Sequence, residues 1–170
     1  MFKRRHVLLG GAAGLLSAIL PRTSRAAGAA ATAEHFEITM GETEWRAKLT
    51  PAQFHVMRQH GTERAFTSPL DKQFAAGAYG CAACQLPLFS SATKFNSGTG
   101  WPSFWDPIKD AQGPTVGSTV DRSFFGVRTE VHCRRCGGHQ GHVFDDGPKP
   151  TGLRYCINGI ALQFAPEKAA

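Results

Sequence analysis

The alternation of hydrophobic and polar positions predicts two short helices early in the chain. In TEWRAKL, Trp45 and Leu49 are one helical turn apart, which indicates a short helix with one apolar face. The next stretch, TPAQFHVMRQHG, carries stronger signals. Thr50 and Gln53 have the spacing of a capping box, and Gly61 is placed to end the helix.

From about residue 78 the pattern changes to short runs rich in Phe, Val and Thr, separated by Gly, Pro and Asp. Such runs are typical of β-strands joined by turns. The clearest alternation lies in GVRTEVHC and the Phe before it. One predicted face carries Phe125, Val127, Thr129 and Val131, and the other carries Arg128, Glu130 and His132. HVFDDG predicts a strand that enters a turn, and LRYCINGIALQF predicts one closing strand. The fold class is therefore mainly β and antiparallel, after short N-terminal helices.

The amino terminus has the pattern of an export signal. Arg4 and Arg5 precede an apolar run from Val7 to Leu20, which is too short to span a bilayer comfortably. Small residues follow, so we expect a signal peptide over residues 1–26, of the twin-arginine type. A linker at 27–41 and a domain at 42–166 would follow, in an exported and periplasmic protein. A general secretory signal and an uncleaved anchor are the alternatives.

The charge distribution bears on the partners of the folded domain. The chain has 19 Lys and Arg against 13 Asp and Glu, a net charge of +6. Five of the basic residues lie in the first 26 positions, which hold no acidic residue, so the remainder is almost neutral. The composition is globular, with 42% hydrophobic residues. A nearly neutral domain does not favour nucleic-acid binding.

Four of the five cysteines form two CxxC pairs, Cys81 with Cys84 and Cys133 with Cys136. Two such pairs can supply four thiolates to a tetrahedral zinc ion, so we expect one structural Zn²⁺ per chain. Disulfides are an alternative in an exported protein, although export in the folded state would allow zinc to bind first. A thioredoxin-like redox pair would need a βαβ context, which is missing, and a nucleic-acid-binding zinc ribbon is disfavoured by the charge.

The fifth cysteine, Cys156, has no partner of this kind. It could be a buried and inert thiol. However, Arg154, Cys156 and Asn158 would share one face of a regular strand. A cation beside a thiol lowers its pKa, and an amide can orient an oxygen atom. This pattern favours a reactive cysteine.

Other candidates for chemistry lie in GGHQGHVF and SGTGWPSFW. His139 and His142 could serve as acid or base for a thiolate, or could be surface or spare metal-binding histidines. Trp101 could form the wall of an apolar pocket, or could be a core residue at a turn.

Several long motifs resemble one family, the B-type methionine-R-sulfoxide reductases. They are CAACQLPLF, KFNSGTGWPSFW and RTEVHCRRCGGHQGHVFDDGPKPTGLRYCIN, and the resemblance runs from about Glu42 to Phe164. It implies two antiparallel β-sheets with N-terminal helices and a four-cysteine zinc site. It further implies the nucleophile at Cys156, with active-site roles for His139, His142 and Asn158. Trp101 would form a wall of the substrate pocket, and we expect Arg154 to contribute to substrate binding as well.

The resemblance also implies the reaction. The thiolate would attack the sulfoxide sulfur of free methionine sulfoxide or of an oxidised protein, a histidine would protonate the oxygen, and a cysteine sulfenic acid would remain. Thr99 occupies the position of the recycling cysteine found in many members. We therefore expect reduction by an external thiol, either a thioredoxin-like protein or a small molecule. A non-catalytic, exported, zinc-stabilised binding domain is the alternative function.

Overall fold

The computed structural model describes residues 35–123 and 126–168. The expected signal peptide, residues 27–34 of the expected linker and Phe125 lie outside these ranges. Helix α1 spans Glu42–Lys48 and helix α2 spans Pro51–Gln59. Within the described residues, no helix has the length and apolar character needed to cross a membrane.

The capping box predicted for α2 is present. The Thr50 hydroxyl accepts a hydrogen bond from the Gln53 backbone N–H at 3.2 Å, and the Gln53 side chain accepts from the Thr50 N–H at 3.1 Å. The C-cap of α2 lies one residue before the predicted Gly61. His60 is its C-cap in the left-handed conformation, with φ of 54°. This end of α2 places the His60 imidazole beside the sheet that carries the candidate active site.

Eleven strands and three short 3₁₀ helices, Pro69–Asp71, Ser91–Thr93 and Gly159–Ala161, form the other regular elements of the described fold. The strands are β1 Gly77–Cys81, β2 Pro87–Ser90, β3 Lys94–Phe95, β4 Ser103–Phe104, β5 Lys109–Asp110, β6 Gly113–Pro114, β7 Val116–Ser123, β8 Gly126–Cys133, β9 His139–Phe144, β10 Arg154–Ile157 and β11 Leu162–Pro166. One sheet has the order β11-β1-β2, and the other has the order β3-β4-β10-β9-β8-β7. Strands β5 and β6 form a separate ribbon. The recorded strand pairs are antiparallel, which confirms the predicted fold class.

The prediction of one closing strand in LRYCINGIALQF is wrong. This stretch forms β10 in the six-stranded sheet and β11 in the three-stranded sheet, with a 3₁₀ turn at Gly159–Ala161 between them. The turn packs so closely that a Cβ on Gly159 would overlap the Ser68 side chain. The chain therefore changes sheets directly after Ile157, and Asn158 is the N-cap of the turn and not a strand residue.

The core lies between the helices and the two sheets. Its aromatic centre includes Tyr79, Phe89 and Phe104, each fully buried, and the rings of Phe89 and Phe104 stack with centroids 4.4 Å apart. Trp45 of α1 and Met57 of α2 are also buried. Each such side chain stabilises the fold by about 1.5–3 kcal/mol through removal from water. This packing anchors β4, the neighbour of β10.

The alternation predicted for β8 is present, and its polar face is the one that carries the candidate active site. Val127 is 69% exposed, and Val120, on the same face of β7, is 63% exposed. Arg128 and Glu130 lie on the opposite face, and Glu130 is directly paired with His142 of β9. Because paired residues share a face, the polar side chains of the β7–β8 hairpin point toward β9 and β10 on the candidate active-site side.

A β-bulge in β9 determines which histidines meet. Glu130 pairs with His142, but His132 pairs with His139, so Gln140 is the extra residue. Residues three apart in a regular strand lie on opposite faces. The bulge instead brings both His139 and His142 to the same face, with ring centroids 5.4 Å apart.

We predict that Gly141→Ala disrupts this region. Gly141 has φ of 155°, and an added Cβ would overlap the carbonyl oxygen of Cys156 in β10. The two strands would have to separate, so we expect a loss of about 3 kcal/mol in the free energy of unfolding. Gly152→Ala is the matched control, because Gly152 also has positive φ but no atom within 4 Å of the added Cβ. Equal losses in denaturant titrations of the two variants would contradict this view of the bulge.

Candidate active site and metal centre

A cavity of about 130 Å³ opens on the polar face of the six-stranded sheet. Four of the predicted site residues line it: Trp101, His142, Cys156 and Asn158. The remaining lining residues are Thr62, Arg128, Gly141 and Phe144. His139 and Arg154 are not among the lining residues, although each contacts a residue that is.

Cys156 lies in the middle of this arrangement. In the sheet it pairs with His142 on one side and with Ser103 of β4 on the other. The sequence predicted a lowered pKa for this thiol, and that prediction is wrong for the free protein. Burial raises the pKa of Cys156 and outweighs the lowering by Arg154 and by a hydrogen bond to Thr99.

Arg154 does lower the pKa of the Cys156 thiol, as expected, but its guanidinium is also paired with Asp146. Its guanidinium donates two hydrogen bonds of 2.8 Å to the Asp146 carboxylate. It also lies over the Phe144 ring, 4.5 Å from the centroid. The carboxylate offsets part of the positive charge that Cys156 experiences, which is one reason why the thiol pKa stays raised.

Thr99, at the position where many members of the family have a recycling cysteine, lies next to Cys156. Its hydroxyl forms the hydrogen bond that lowers the pKa of Cys156. The same hydroxyl lies 2.8 Å from Ser97 Oγ, which lies 2.7 Å from Ser103 Oγ. This network of three hydroxyl groups fixes the Thr99 side chain beside the sulfur.

The prediction that Asn158 shares a strand face with Cys156 is wrong, because the strand ends at Ile157. Asn158 is buried and holds two neighbouring segments together. Its Oδ1 accepts from the Glu63 backbone N–H at 2.9 Å, and its Nδ2 donates to the Gln140 carbonyl at 3.0 Å. Because Nδ2 carries a second hydrogen, the side chain can also donate into the cavity that it lines.

His142 is mostly buried and forms a hydrogen bond with the Asp121 carboxylate. Its Nε2 lies 2.8 Å from Asp121 Oδ2, and Arg128 Nη2 contacts the same oxygen at 2.7 Å. Burial lowers the pKa of His142, and the hydrogen bond with Asp121 opposes that effect only in part. Because Nε2 is engaged with Asp121, Nδ1 is the nitrogen of His142 that can deliver a proton elsewhere.

His139 lies behind His142 and is almost fully buried. Its Nδ1 is 2.7 Å from Glu130 Oε1, which also lies 2.9 Å from His60 Nδ1. Burial alone would raise the pKa of Glu130, but the hydrogen bonds with His139 and His60 hold it well below its usual range. The hydrogen bond with Glu130 in turn raises the pKa of His60.

Trp101 is positioned by a residue that sequence reasoning missed. Its indole Nε1 donates to the Glu63 carbonyl at 3.2 Å. The Glu63 carboxylate accepts from the backbone N–H groups of Gly159 at 2.5 Å and Ile160 at 3.0 Å. Glu63 therefore connects the indole wall to the turn that follows β10. Asp121, Arg128 and Glu130 were also missed, since only the strand register brings them to the histidines.

The four paired cysteines form one cluster. Their sulfur atoms all lie within 4.8 Å of one another, with 3.7 Å between Cys81 and Cys136 and 3.5 Å between Cys84 and Cys133. Tetrahedral zinc with bonds of about 2.3 Å places neighbouring thiolates about 3.8 Å apart, so the set fits a metal ion. These separations are much longer than a disulfide bond, and all four thiols are free.

Comparisons with known proteins agree with this arrangement. The model of the SelR domain matches residues 49–166. A peptide methionine sulfoxide reductase MsrB from Leptospira interrogans is 51% identical over 133 residues, which cover 78% of this chain and 99% of the relative. An MsrB from Methanosarcina mazei is 53% identical, covering 78% and 92%, and one from Pseudomonas putida is 54% identical, covering 75% and 93%.

The similarity is high and extends over nearly the full length of these relatives. The matched region contains the cavity and the four-cysteine cluster. The chain belongs to the SelR-domain family of B-type methionine sulfoxide reductases.

Proposed function

We propose that this protein reduces the R epimer of methionine sulfoxide to methionine, with Cys156 as the nucleophile. The observation that carries the proposal is a lone thiol in a small cavity, beside a histidine–aspartate pair and an indole wall. Family membership supports methionine sulfoxide as the substrate, since the relatives named above are peptide methionine sulfoxide reductases. The substrate residue is either free or part of an oxidised protein.

The chemistry follows from the residues around the sulfur. The Cys156 thiolate attacks the sulfoxide sulfur, one proton is taken up by the oxygen, and the oxygen ends on Cys156 as a sulfenic acid. Methionine leaves with its sulfur reduced by two electrons, which Cys156 supplies. The His142–Asp121 pair is placed to deliver the proton, because His142 lines the cavity and His139 lies behind it.

The cavity walls account for orientation of the substrate. Trp101 and Phe144 offer apolar surface for the methyl and methylene groups that flank the sulfoxide sulfur. The free hydrogen of Asn158 Nδ2 can donate to the sulfoxide oxygen. An apolar wall and a polar donor on different sides of one sulfur distinguish the two epimers.

The sulfenic acid is reduced by an external thiol in this proposal. Thr99 cannot form a disulfide, and the other four cysteines belong to the cluster. A thioredoxin-like protein or a small-molecule thiol would then restore Cys156 after each turnover.

Removing the nucleophile tests the proposed activity. With an added dithiol, the wild type should consume the R epimer and leave the S epimer. Cys156→Ser should lower turnover by a factor on the order of 10³ or more, because serine oxygen is a far weaker nucleophile than thiolate. Circular dichroism and metal content should be unchanged. A wild type without turnover would favour the non-catalytic binding domain instead.

The Thr99 hydroxyl should tune the pH dependence of the reaction. The thiolate is the reactive form, so turnover rises as the pH passes the pKa of Cys156. Thr99→Val removes the hydrogen bond that lowers this pKa, so the rise should move to higher pH. Thr99→Ser keeps a hydroxyl and should keep the wild-type profile. Identical pH–rate profiles for the valine and serine variants would disprove the role of this hydroxyl.

We propose that the four-cysteine cluster binds one structural Zn²⁺ per chain. The sulfur separations and the all-thiolate ligand set support this choice of metal. Cys81→Ser should release zinc and unfold the domain, because metal-binding free energy contributes directly to folding. Elemental analysis and thermal unfolding would measure this, with Cys156→Ser as the control that retains zinc. A folded, active wild type without zinc would refute the assignment.

We propose that the protein is exported to the periplasm through its twin-arginine segment. The support is the pattern of residues 1–26 alone, which lie outside the described structure. Replacing Arg4 and Arg5 with lysine should leave the full-length protein in the cytoplasm, as seen by cell fractionation. Export of the double-lysine variant at the wild-type level would favour the general secretory route.

A further inference from the structure

A second group of metal-binding side chains lies on the candidate active-site face of the six-stranded sheet and contains none of the cysteines. His60 Nδ1, Glu130 Oε1 and His139 Nδ1 all lie within 4.8 Å of one another. Both imidazole nitrogens approach the same carboxylate oxygen, at 2.9 and 2.7 Å. The three residues come from three different elements, so the fold brings them together.

Each position is fixed by a local feature of the backbone. His60 is the left-handed C-cap of α2, with φ of 54° and ψ of 33°. Glu130 is on the polar face of β8, and the bulge in β9 turns His139 toward it. Their convergence therefore depends on the same bulge that places His142 at the cavity.

The ligand types suit a divalent transition-metal ion. Two imidazole nitrogens and one carboxylate oxygen are ligands preferred by Zn²⁺ and Ni²⁺, with bonds of about 2.0–2.2 Å. In tetrahedral coordination such donor atoms lie about 3.4 Å apart, so the two nitrogen–oxygen separations need to open by about 0.5 to 0.7 Å. The His60 side chain is 63% exposed, which gives an ion access from solvent and leaves room for a bound water.

We propose that His60, Glu130 and His139 form a binding site for one divalent transition-metal ion, and that the bound ion inhibits the reductase. The inhibitory part rests on the proposed function. An ion between Nδ1 of His139 and the Glu130 carboxylate pushes these two groups apart. The His139 ring packs edge-on against His142, with centroids 5.4 Å apart, so its displacement shifts the imidazole that lines the cavity.

Nickel binding to the zinc-loaded, untagged, full-length Cys156→Ser protein tests the site without competition from the reactive thiol. Isothermal titration calorimetry should show one Ni²⁺ per chain, with zinc content unchanged. His60→Ala in the same background should weaken binding at least tenfold. His55→Ala is the matched control, since His55 is an exposed histidine of α2 whose side chain hydrogen-bonds only Gln59 among the described residues. No binding, or equal binding by the His60 and His55 variants, would overturn the proposal.

Turnover of the otherwise wild-type protein tests the inhibition. Ni²⁺ should lower the rate, and a chelator should restore it. His60→Ala should lose at least tenfold in sensitivity to Ni²⁺, measured against its own metal-free rate, while His55→Ala should stay sensitive. Nickel binding without any loss of turnover would overturn the inhibitory role. Since binding is measured in the Cys156→Ser variant, the test of the metal site does not depend on the proposed reductase activity.

Discussion

The single extra residue in β9 is the constraint on which both centres of this protein depend. The Gln140 carbonyl accepts hydrogen bonds from the Asn158 backbone N–H at 2.8 Å and from its side chain at 3.0 Å. Its side-chain Nε2 lies 3.7 Å from the Cys81 sulfur. The bulge thus connects the cysteine cluster with the end of β10, and it turns His139 and His142 to one face. A metal ion bound by the four cysteines would stabilise the active-site geometry through Gln140, although the ion takes no part in the chemistry.

The cavity balances a buried thiol against groups that favour its ionised form. Burial raises the pKa of Cys156, while Arg154 and Thr99 lower it. The apolar wall that we propose for the substrate methyl group also forms the low-dielectric surroundings of the sulfur, so neither property can change alone. Glu63 and Asn158 hold that wall and the β10 end in place through backbone hydrogen bonds, which keeps the half-buried indole at a fixed position in the cavity that Cys156 also lines.

The sequence patterns predicted those features that depend on contacts between residues close together in the chain. The capping box of α2 involves residues three apart, and each CxxC pair lies within one turn, so both could be read from the sequence. Asn158 was misjudged because strand periodicity was extended past Ile157, where the chain changes sheets. Glu130 and Asp121 could not be found, because their contacts with His139 and His142 depend on the pairing of β7, β8 and β9. The bulge in β9 shifts that register, and the residues around it have no composition that would have predicted a bulge.

The central claim is that Cys156 alone carries the redox chemistry, and a single turnover without reductant tests it most directly. One methionine should form per chain, and a sulfenic-acid probe should label Cys156, with the four cluster cysteines still unpaired by mass spectrometry. Thr99→Cys provides the matched control, because the Thr99 side chain already contacts the Cys156 sulfur and the new thiol should close a disulfide. A disulfide between Cys156 and any cluster cysteine in the active wild type would contradict the account.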